Sequence, residues 1–337
     1  MDYLNKKIII IDNSDLAYSG NDINGTTLRG TEASLILLSE QFYKIGINVD
    51  YCNCIKTDET INGVNYFNKN KINKNILYDL AIVISDANEF SRVSSIKKAV
   101  FSNSNQPIEK FIRKKQLIPF LKFKPVVITL CDYQFKKRSF FTSFYGKKTI
   151  PITVDPKFLN VDVDLNFIPE KKVVYNIRSN RNLDHLIKIW CEKIYPINSE
   201  FKLYITPDLI EYTDALRKQN IFLRNIGTRS EMIDDLKNYR ALTYLGHKSD
   251  IFTLTAEESI KLCLPVVTFG IGSLKERVTH NETGFIAQND QQYADYIIKI
   301  LNDDDFYLNL KRLMKTKRKE NNWEQIAKDW VNHFLNE

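Results

Sequence analysis

The pattern that most restricts this chain is an alternation of buried-type strands and amphipathic helices that runs once, stops, and runs again. Lys6–Asp12 (KKIIIID) is a continuous apolar run of the kind found in central parallel strands. Apolar residues at helical spacing follow over Thr31–Ile45, closed by Gly46, and then strand-like runs at 48–54, 80–85 and 126–130. The pattern lapses in a polar stretch around 155–171 and restarts: strands at 172–177, 201–205, 221–226, 241–245 and 265–269, with helices at 182–195, 207–219 and 230–239 between them. Strands separated by helices cannot pair as hairpins, so they form parallel sheets covered on both faces. The expectation is an α/β chain of two Rossmann-like, doubly wound domains facing across a cleft: residues 1–157, a linker at 158–170, a second domain at 171–319, and an amphipathic C-terminal helix within 320–337 that packs back toward the first domain. Ligands of such sheets sit at the carboxyl ends of the strands.

Composition limits the alternatives. At 337 residues, 43% hydrophobic and 26% charged, the chain has enough apolar surface for two cores. No run of eighteen apolar residues suggests a membrane-spanning helix, and the opening MDYLNKKIIIIDNSD turns polar too soon for a signal peptide, so a cytoplasmic chain is expected. The five cysteines lack metal-ligand spacing and read as structural thiols. The net charge of +7 gathers at 110–124, 136–148 and 311–319, the first two interleaved with aromatics. Solvated helix faces explain such runs; an anionic partner, including peripheral contact with a membrane surface, explains them too. No nucleic-acid motif accompanies the charge, and no nucleic-acid partner is expected.

The richest stretch in chemical terms is 250–287. Asp250 and Glu258 flank a turn and a helix start, and the strand Pro265–Phe269 and a Gly270-x-Gly272 turn follow. Thr255-x-x-Glu258 has the form of a capping box. The same helix start offers free N–H groups and a positive dipole end to an anion, with Glu258 able to accept hydrogen bonds from ribose hydroxyls. Spacing alone leaves both readings open.

Taken together, Asp250-x7-Glu258, Leu264-Pro265-Val266-Val267, Glu276 and Thr283-Gly284-Phe285 resemble the nucleotide-sugar-binding region of GT-B glycosyltransferases. The likeness is to the large retaining family that includes sucrose synthase and many lipopolysaccharide and mannosyl transferases. The resemblance implies that Glu258 binds the nucleotide ribose and that Asp250, one methylene shorter than the family's glutamate, lies near the donor sugar. Arg181 matches the family's basic residue before the Leu183 helix start, with Arg178 as a second; both would meet the donor diphosphate, where a guanidinium pairs phosphate bidentately. Gly227-Thr228-x-x-Glu231 resembles the family's turn beside the base, although Thr228 and Glu231 also form a capping box by spacing. Gly30 matches the second glycine of a Gly-Gly-x-Glu helix start, Arg29 replacing the first.

Two features depart from the family. All four histidines follow the linker, whereas many members carry one in the first domain. An Asp162-x-Asp164 pair, the metal motif of the GT-A fold, lies in the linker without the context that motif needs.

The function implied is retaining, metal-independent transfer of a hexose from a nucleotide-diphosphate-sugar to a glycan or lipid-linked acceptor. No cofactor is expected beyond the donor. The alternatives are a GT-B-like protein that binds nucleotide or glycan without catalysis, and a nucleotide-sugar epimerase of the same fold. The base, sugar and linkage are not written in the sequence.

Overall fold

The computed structural model describes residues 3–25, 28–178, 180–206, 213–225, 227–318 and 322–336. The chain divides into two compact units, Met1–Thr153 with Asn321–Glu337, and Val154–Glu320.

The first unit carries an eight-stranded sheet in the order β3-β4-β2-β1-β5-β6-β7-β8. The strands are β1 (Lys7–Ile11), β2 (Asn48–Asn53), β3 (Glu59–Ile61), β4 (Val64–Asn68), β5 (Leu77–Ile84), β6 (Ser94–Phe101), β7 (Val126–Thr129) and β8 (Lys147–Thr149). Every pairing is parallel except β3 with β4. Ile8–Ile11 of β1 are fully buried, as a central strand covered on both faces requires. Four strands exceed the sequence reading. β3 and β4 are joined through Asn62-Gly63, a favoured hairpin dipeptide. In β6 Lys97 and Lys98 interrupt the apolar residues of SSIKKAVF, and β8 is three residues long, so neither shows the apolar run that marks the other strands.

The helix Trp323–Phe334 belongs to this unit. Its buried face includes Trp330, whose ring meets that of Phe42 edge-on at 6.4 Å, and Phe42 lies on the buried face of the helix Gly30–Lys44.

The second unit holds six parallel strands in the order β11-β10-β9-β12-β13-β14. They are β9 (Lys172–Tyr175), β10 (Lys202–Ile205), β11 (Ile221–Leu223), β12 (Ala241–Thr243), β13 (Val266–Thr268) and β14 (Gly284–Ile286). β9 pairs with β10 on one side and with β12 on the other. The chain thus builds outward in one direction, returns, and builds outward in the other, which makes the gap between β9 and β12 the topological switch point of this sheet. Of the helix read at 207–219, residues 207–212 lie outside the described residues, and Asp214–Lys218 is helical. Ser179, Ile226 and Lys319 also lie outside them.

The segment 158–170 is not an open linker. Phe158 and Val163 are buried in the second unit's core. Arg318 donates to the carbonyls of Phe158 and Leu159, and Lys311 to those of Asp164 at 2.7 Å and Phe167 at 3.1 Å. The strap opens with the end of a short helix, Pro156–Asn160, whose last carbonyls Arg318 satisfies; beyond it Lys311 takes that part, so the segment carries no longer periodicity. Among the described residues no helix is long and apolar enough to cross a membrane.

The Trp330 contact yields a test. Trp330→Ala removes a side chain that is 1% exposed. It should destabilise the first unit by about 3–5 kcal/mol, read as a lowered urea midpoint with an unchanged slope. A shift under about 1 kcal/mol would mean that the terminal helix contributes little to this core.

Candidate functional site

The carboxyl ends of β9 and β12 extend into two loops that lock together. The loop after β9 carries Arg178, Arg181 and Asn182; the loop after β12 carries Tyr244, Gly246, His247 and Asp250. Asn182 adopts a left-handed conformation (φ 63°) as it opens the helix Leu183–Ile189, and its amide donates to the Gly246 carbonyl at 2.6 Å. The Tyr175 hydroxyl sits under the first loop, shared between the carbonyls of Arg178 at 2.7 Å and Arg181 at 3.1 Å. The rings of Tyr175 and Tyr244 meet edge-on at 6.0 Å, so the two strand ends also pack directly.

Arg181 reaches from one loop to the other. Its Nε lies 3.5 Å from Asp250 Oδ1, and an Nη donates to His247 Nδ1 at 2.9 Å. His247 Nδ1 also accepts the Ser249 N–H at 3.1 Å. Two donors on Nδ1 fix the tautomer: the proton of a neutral His247 ring resides on Nε2.

Asp250 is the anchor of this cluster. Its Oδ2 accepts the Tyr244 hydroxyl and the His247 N–H, the latter at 3.0 Å, which leaves Oδ1 for Arg181. Burial raises its carboxyl above the ordinary range, opposed by the Tyr244 hydrogen bond and by Arg181. Tyr244 itself is pushed up by burial and then by the Asp250 charge, so it stays a neutral donor. The Gly270-x-Gly272 turn closes on this loop. Gly272 sits at φ +73°, and a Cβ there would fall 2.4 Å from the His247 carbonyl, so the turn approaches the loop as only glycine permits. The Ser273 N–H donates to the Asp250 carbonyl at 3.0 Å.

Glu258 belongs to a neighbouring group. It is 8% exposed and lies on the helix Leu254–Lys261. Its Oε1 is 3.8 Å from an Arg229 nitrogen, and Arg229 also faces Asp155 Oδ2 at 3.6 Å. Burial raises the Glu258 carboxyl; Arg229 lowers it, and Asp155 adds a further upward push. Arg224, also buried, pairs with Asp235 at 2.5 Å and donates to the Asn176 side chain. The loops after β9 and β11 are thereby tied to each other.

The expected capping box at Thr255 and Glu258 does not form. The helix starts earlier, with Thr253 at the cap: its carbonyl accepts from Ala256 at 3.1 Å and Glu257 at 3.3 Å, and its hydroxyl pairs with Ser273 at 3.1 Å. Thr255 is inside the first turn, its carbonyl accepting the Ser259 hydroxyl at 2.8 Å, and the Glu258 side chain turns to Arg229 instead. At Thr228 the capping box is complete. Glu231 accepts from the Thr228 N–H at 2.7 Å and from its hydroxyl at 2.8 Å, and it folds over Gly227, where a Cβ would lie 2.7 Å from a Glu231 oxygen.

The site residues thus fall into three groups. Arg181 and Asp250 are brought into contact, with Arg178 exposed in the same loop. Glu258, Thr255, Gly227 and Thr228 lie on or beside the helices that Arg229 and Glu258 join. Gly30 belongs to the first unit, where it opens the helix Gly30–Lys44 and its carbonyl accepts the Ser34 hydroxyl at 2.7 Å. Sequence reasoning missed Tyr175, Tyr244, Arg229 and Asp155. Tyr175 ends β9 and Tyr244 follows β12, where their apolar rings read as core, and Asp155 is 74 residues from Arg229 with no pattern linking them. Asp162 and Asp164 lie elsewhere in the second unit, lining a cavity of about 380 Å³ with Cys263 and Lys311.

Residues 212–325 match the family described as Glycosyl transferases group 1. No curated protein matches the chain. Among solved structures, sucrose-phosphate synthase from Thermosynechococcus elongatus is similar at 14% identity and a TM-score of 0.72, covering 98% of each chain. HepE from Anabaena, solved with UDP and glucose, is similar at 13% identity and a TM-score of 0.70, covering 98% of this chain and 100% of its own. TarM from S. aureus, solved with fondaparinux, α-GlcNAc-glycerol and UDP, is similar at 18% identity and a TM-score of 0.60 over 76% of this chain; the chain spans 55% of that one. At these identities the likeness establishes the fold, which is that of the GT-B glycosyltransferases.

The Glu258 environment gives a test with a definite sign. A carboxyl raised above its usual 4.5 in the folded state stabilises the fold least once it ionises, so its contribution is lost as pH rises through the folded value. Glu258→Gln keeps the shape without the charge, and Asp155 remains beside Arg229. The variant should melt no lower than the native chain at alkaline pH, and any advantage should vanish in acid. A variant that melts clearly lower at alkaline pH would show that the Arg229 attraction outweighs the cost of burial.

Proposed function

We propose, for a chain whose residues 212–325 are a glycosyl transferases group 1 domain in a GT-B fold, that it moves a hexose from a nucleotide-diphosphate-sugar to a glycan or lipid-linked acceptor, with retention at the anomeric carbon and without a metal. The observation that carries this reading is Arg181, held by Asp250 and His247 at the switch point of the second sheet. Solved structures of the same fold contain UDP, which makes a nucleoside diphosphate the natural occupant of such a position.

In this reading the bond between the anomeric carbon and the distal phosphate oxygen breaks, and negative charge develops on that phosphate. Arg181, with Arg178 from the same loop, stabilises that charge. The acceptor hydroxyl oxygen bonds to the anomeric carbon, and its proton passes to the departing phosphate oxygen, so no protein nucleophile is consumed. Asp250 acts chiefly through Arg181: with Oδ2 already holding two donors, it keeps the guanidinium in place and offers the sugar at most one free lone-pair direction. Glu258 accepts the ribose hydroxyls, beside the start of the helix Arg229–Leu236, whose Gly227 and Thr228 border the base. The N–H group of Thr255, in the first turn of the other helix, faces the phosphates. A cytoplasmic protein acting on a lipid-linked acceptor needs contact with a membrane surface.

Arg181→Ala should lower turnover by about 10²–10³ with a smaller effect on donor binding, because it removes an interaction that strengthens as charge develops. Glu258→Ala should weaken nucleotide binding by about tenfold or more through lost hydrogen bonds. Steady-state rates and calorimetric titration with UDP-, GDP- and ADP-sugars read both. Unchanged transfer in Arg181→Ala would remove the diphosphate assignment. Tight binding with no turnover on any acceptor would indicate a non-catalytic binding protein, and release of free sugar without an acceptor would indicate an epimerase.

A further inference from the structure

The first unit exposes an apolar face that its own fold leaves uncovered. Ile118 is 73% exposed, Phe140 70%, Phe141 69%, Ile112 64% and Leu121 52%. They come from three elements that adjoin. The helices Ile108–Arg113 and Leu117–Phe123 are pinned together beneath the surface by Phe111 and Phe120, whose rings meet edge-on at 5.0 Å. The turn Phe140–Thr142 packs against the first of these helices.

The face is built to stay in place. Gln116, fully buried between the helices, accepts the Ala87 N–H at 2.8 Å and donates to Asp86 at 2.6 Å. Arg138, 1% exposed, donates to the Thr142 carbonyl through Nε at 3.3 Å and Nη2 at 2.8 Å, and to the Ser102 hydroxyl at 2.7 Å. Buried polar groups therefore fix the turn that presents Phe140 and Phe141 to solvent. Rigid presentation of large apolar side chains to water is costly unless something covers them.

The charge around them says what. Residues 108–148 hold eleven Lys and Arg against two Asp and Glu, a net +9. The whole chain is +7, so everything outside this segment sums to −2. Arg113, Lys114, Lys115, Lys122 and Lys124 are exposed on or beside the same two helices. Protein–protein interfaces are depleted in lysine at their cores, whereas apolar side chains set among lysines and arginines are the composition that lies in a lipid headgroup layer.

We propose that this face docks on an anionic lipid bilayer. Phe140, Phe141, Ile112, Ile118 and Leu121 enter the boundary between headgroups and acyl chains, and the basic residues pair with lipid phosphates. Neither contribution suffices alone: the apolar residues supply depth, and the cations supply selectivity for anionic lipid. The docking is independent of the transfer reaction, since it uses no residue assigned to the donor.

The test is co-sedimentation of the full chain with vesicles, without any sugar donor. The native chain should partition onto mixed phosphatidylcholine and phosphatidylglycerol vesicles, weaken as salt is raised, and bind phosphatidylcholine alone poorly. Ile118→Glu combined with Phe141→Glu should lower the partition coefficient by about tenfold or more, as should Lys114→Glu combined with Lys115→Glu. These positions are exposed, so folding is preserved, and circular dichroism verifies it. Ile197→Glu, at an exposed apolar residue of the second unit, should change nothing. Binding that ignores lipid charge, or that survives both double variants, would overturn the proposal. So would light scattering that shows a dimer of the native chain converted to monomer by the Ile118 and Phe141 changes, because a second copy would then be what covers the face.

Discussion

The site in the second unit depends on one arrangement: a partly buried aspartate that holds an arginine across the gap between two loops. Asp250 receives the Tyr244 hydroxyl and the His247 backbone N–H on one oxygen and presents the other to Arg181. An unpaired buried carboxylate would protonate, and an unpaired guanidinium would swing to solvent. Together, with the His247 ring as the third member, they hold a positive group at the switch point of a parallel sheet. Everything nearby serves that placement. Asn182 ties the arginine loop to the Gly246 carbonyl, Tyr175 supports its backbone, and Gly272 lets the next turn close on the aspartate loop.

The second acidic residue has a different character. Glu258 is nearly buried and faces a single arginine at 3.8 Å, while Asp155 shares that arginine. Burial raises the Glu258 carboxyl, Arg229 draws it back down, and Asp155 adds a smaller upward push. The two acids that look like a pair in the sequence are therefore separate devices: Asp250 pairs with Arg181 between two loops, and Glu258 pairs with Arg229 between two helices.

Much of this was legible beforehand, and the limits have physical causes. The double α/β alternation was readable because strands buried on both faces are written as uninterrupted apolar runs such as Ile8–Ile11. β6 escaped because Lys97 and Lys98 interrupt its run, and β8 because three residues carry no periodicity. The strap at 158–170 looked like a linker because its order comes from Arg318 and Lys311, residues far along the chain that donate to its carbonyls. Arg181, Asp250, Glu258 and Thr228 are nameable because their motifs resemble those of the GT-B family; spacing alone leaves their roles open. Their partners are not nameable, since Asp155, Arg229, Tyr175 and Tyr244 act through contacts that the fold creates. The Thr255 cap fails for the same reason: the helix starts after Thr253, whose hydroxyl is held by Ser273, twenty residues away.

Under the proposed function a nucleoside diphosphate binds at the joined loops after β9 and β12. Backbone hydrogen exchange of the full chain with and without UDP, GDP or ADP tests it without requiring knowledge of the sugar or acceptor. At least one nucleotide should slow exchange across 176–182 and 246–258, and Arg181→Ala should remove much of the protection in the first of these segments. Protection confined instead to the cavity beside Cys263 and Lys311, or no protection by any of the three nucleotides, would contradict it.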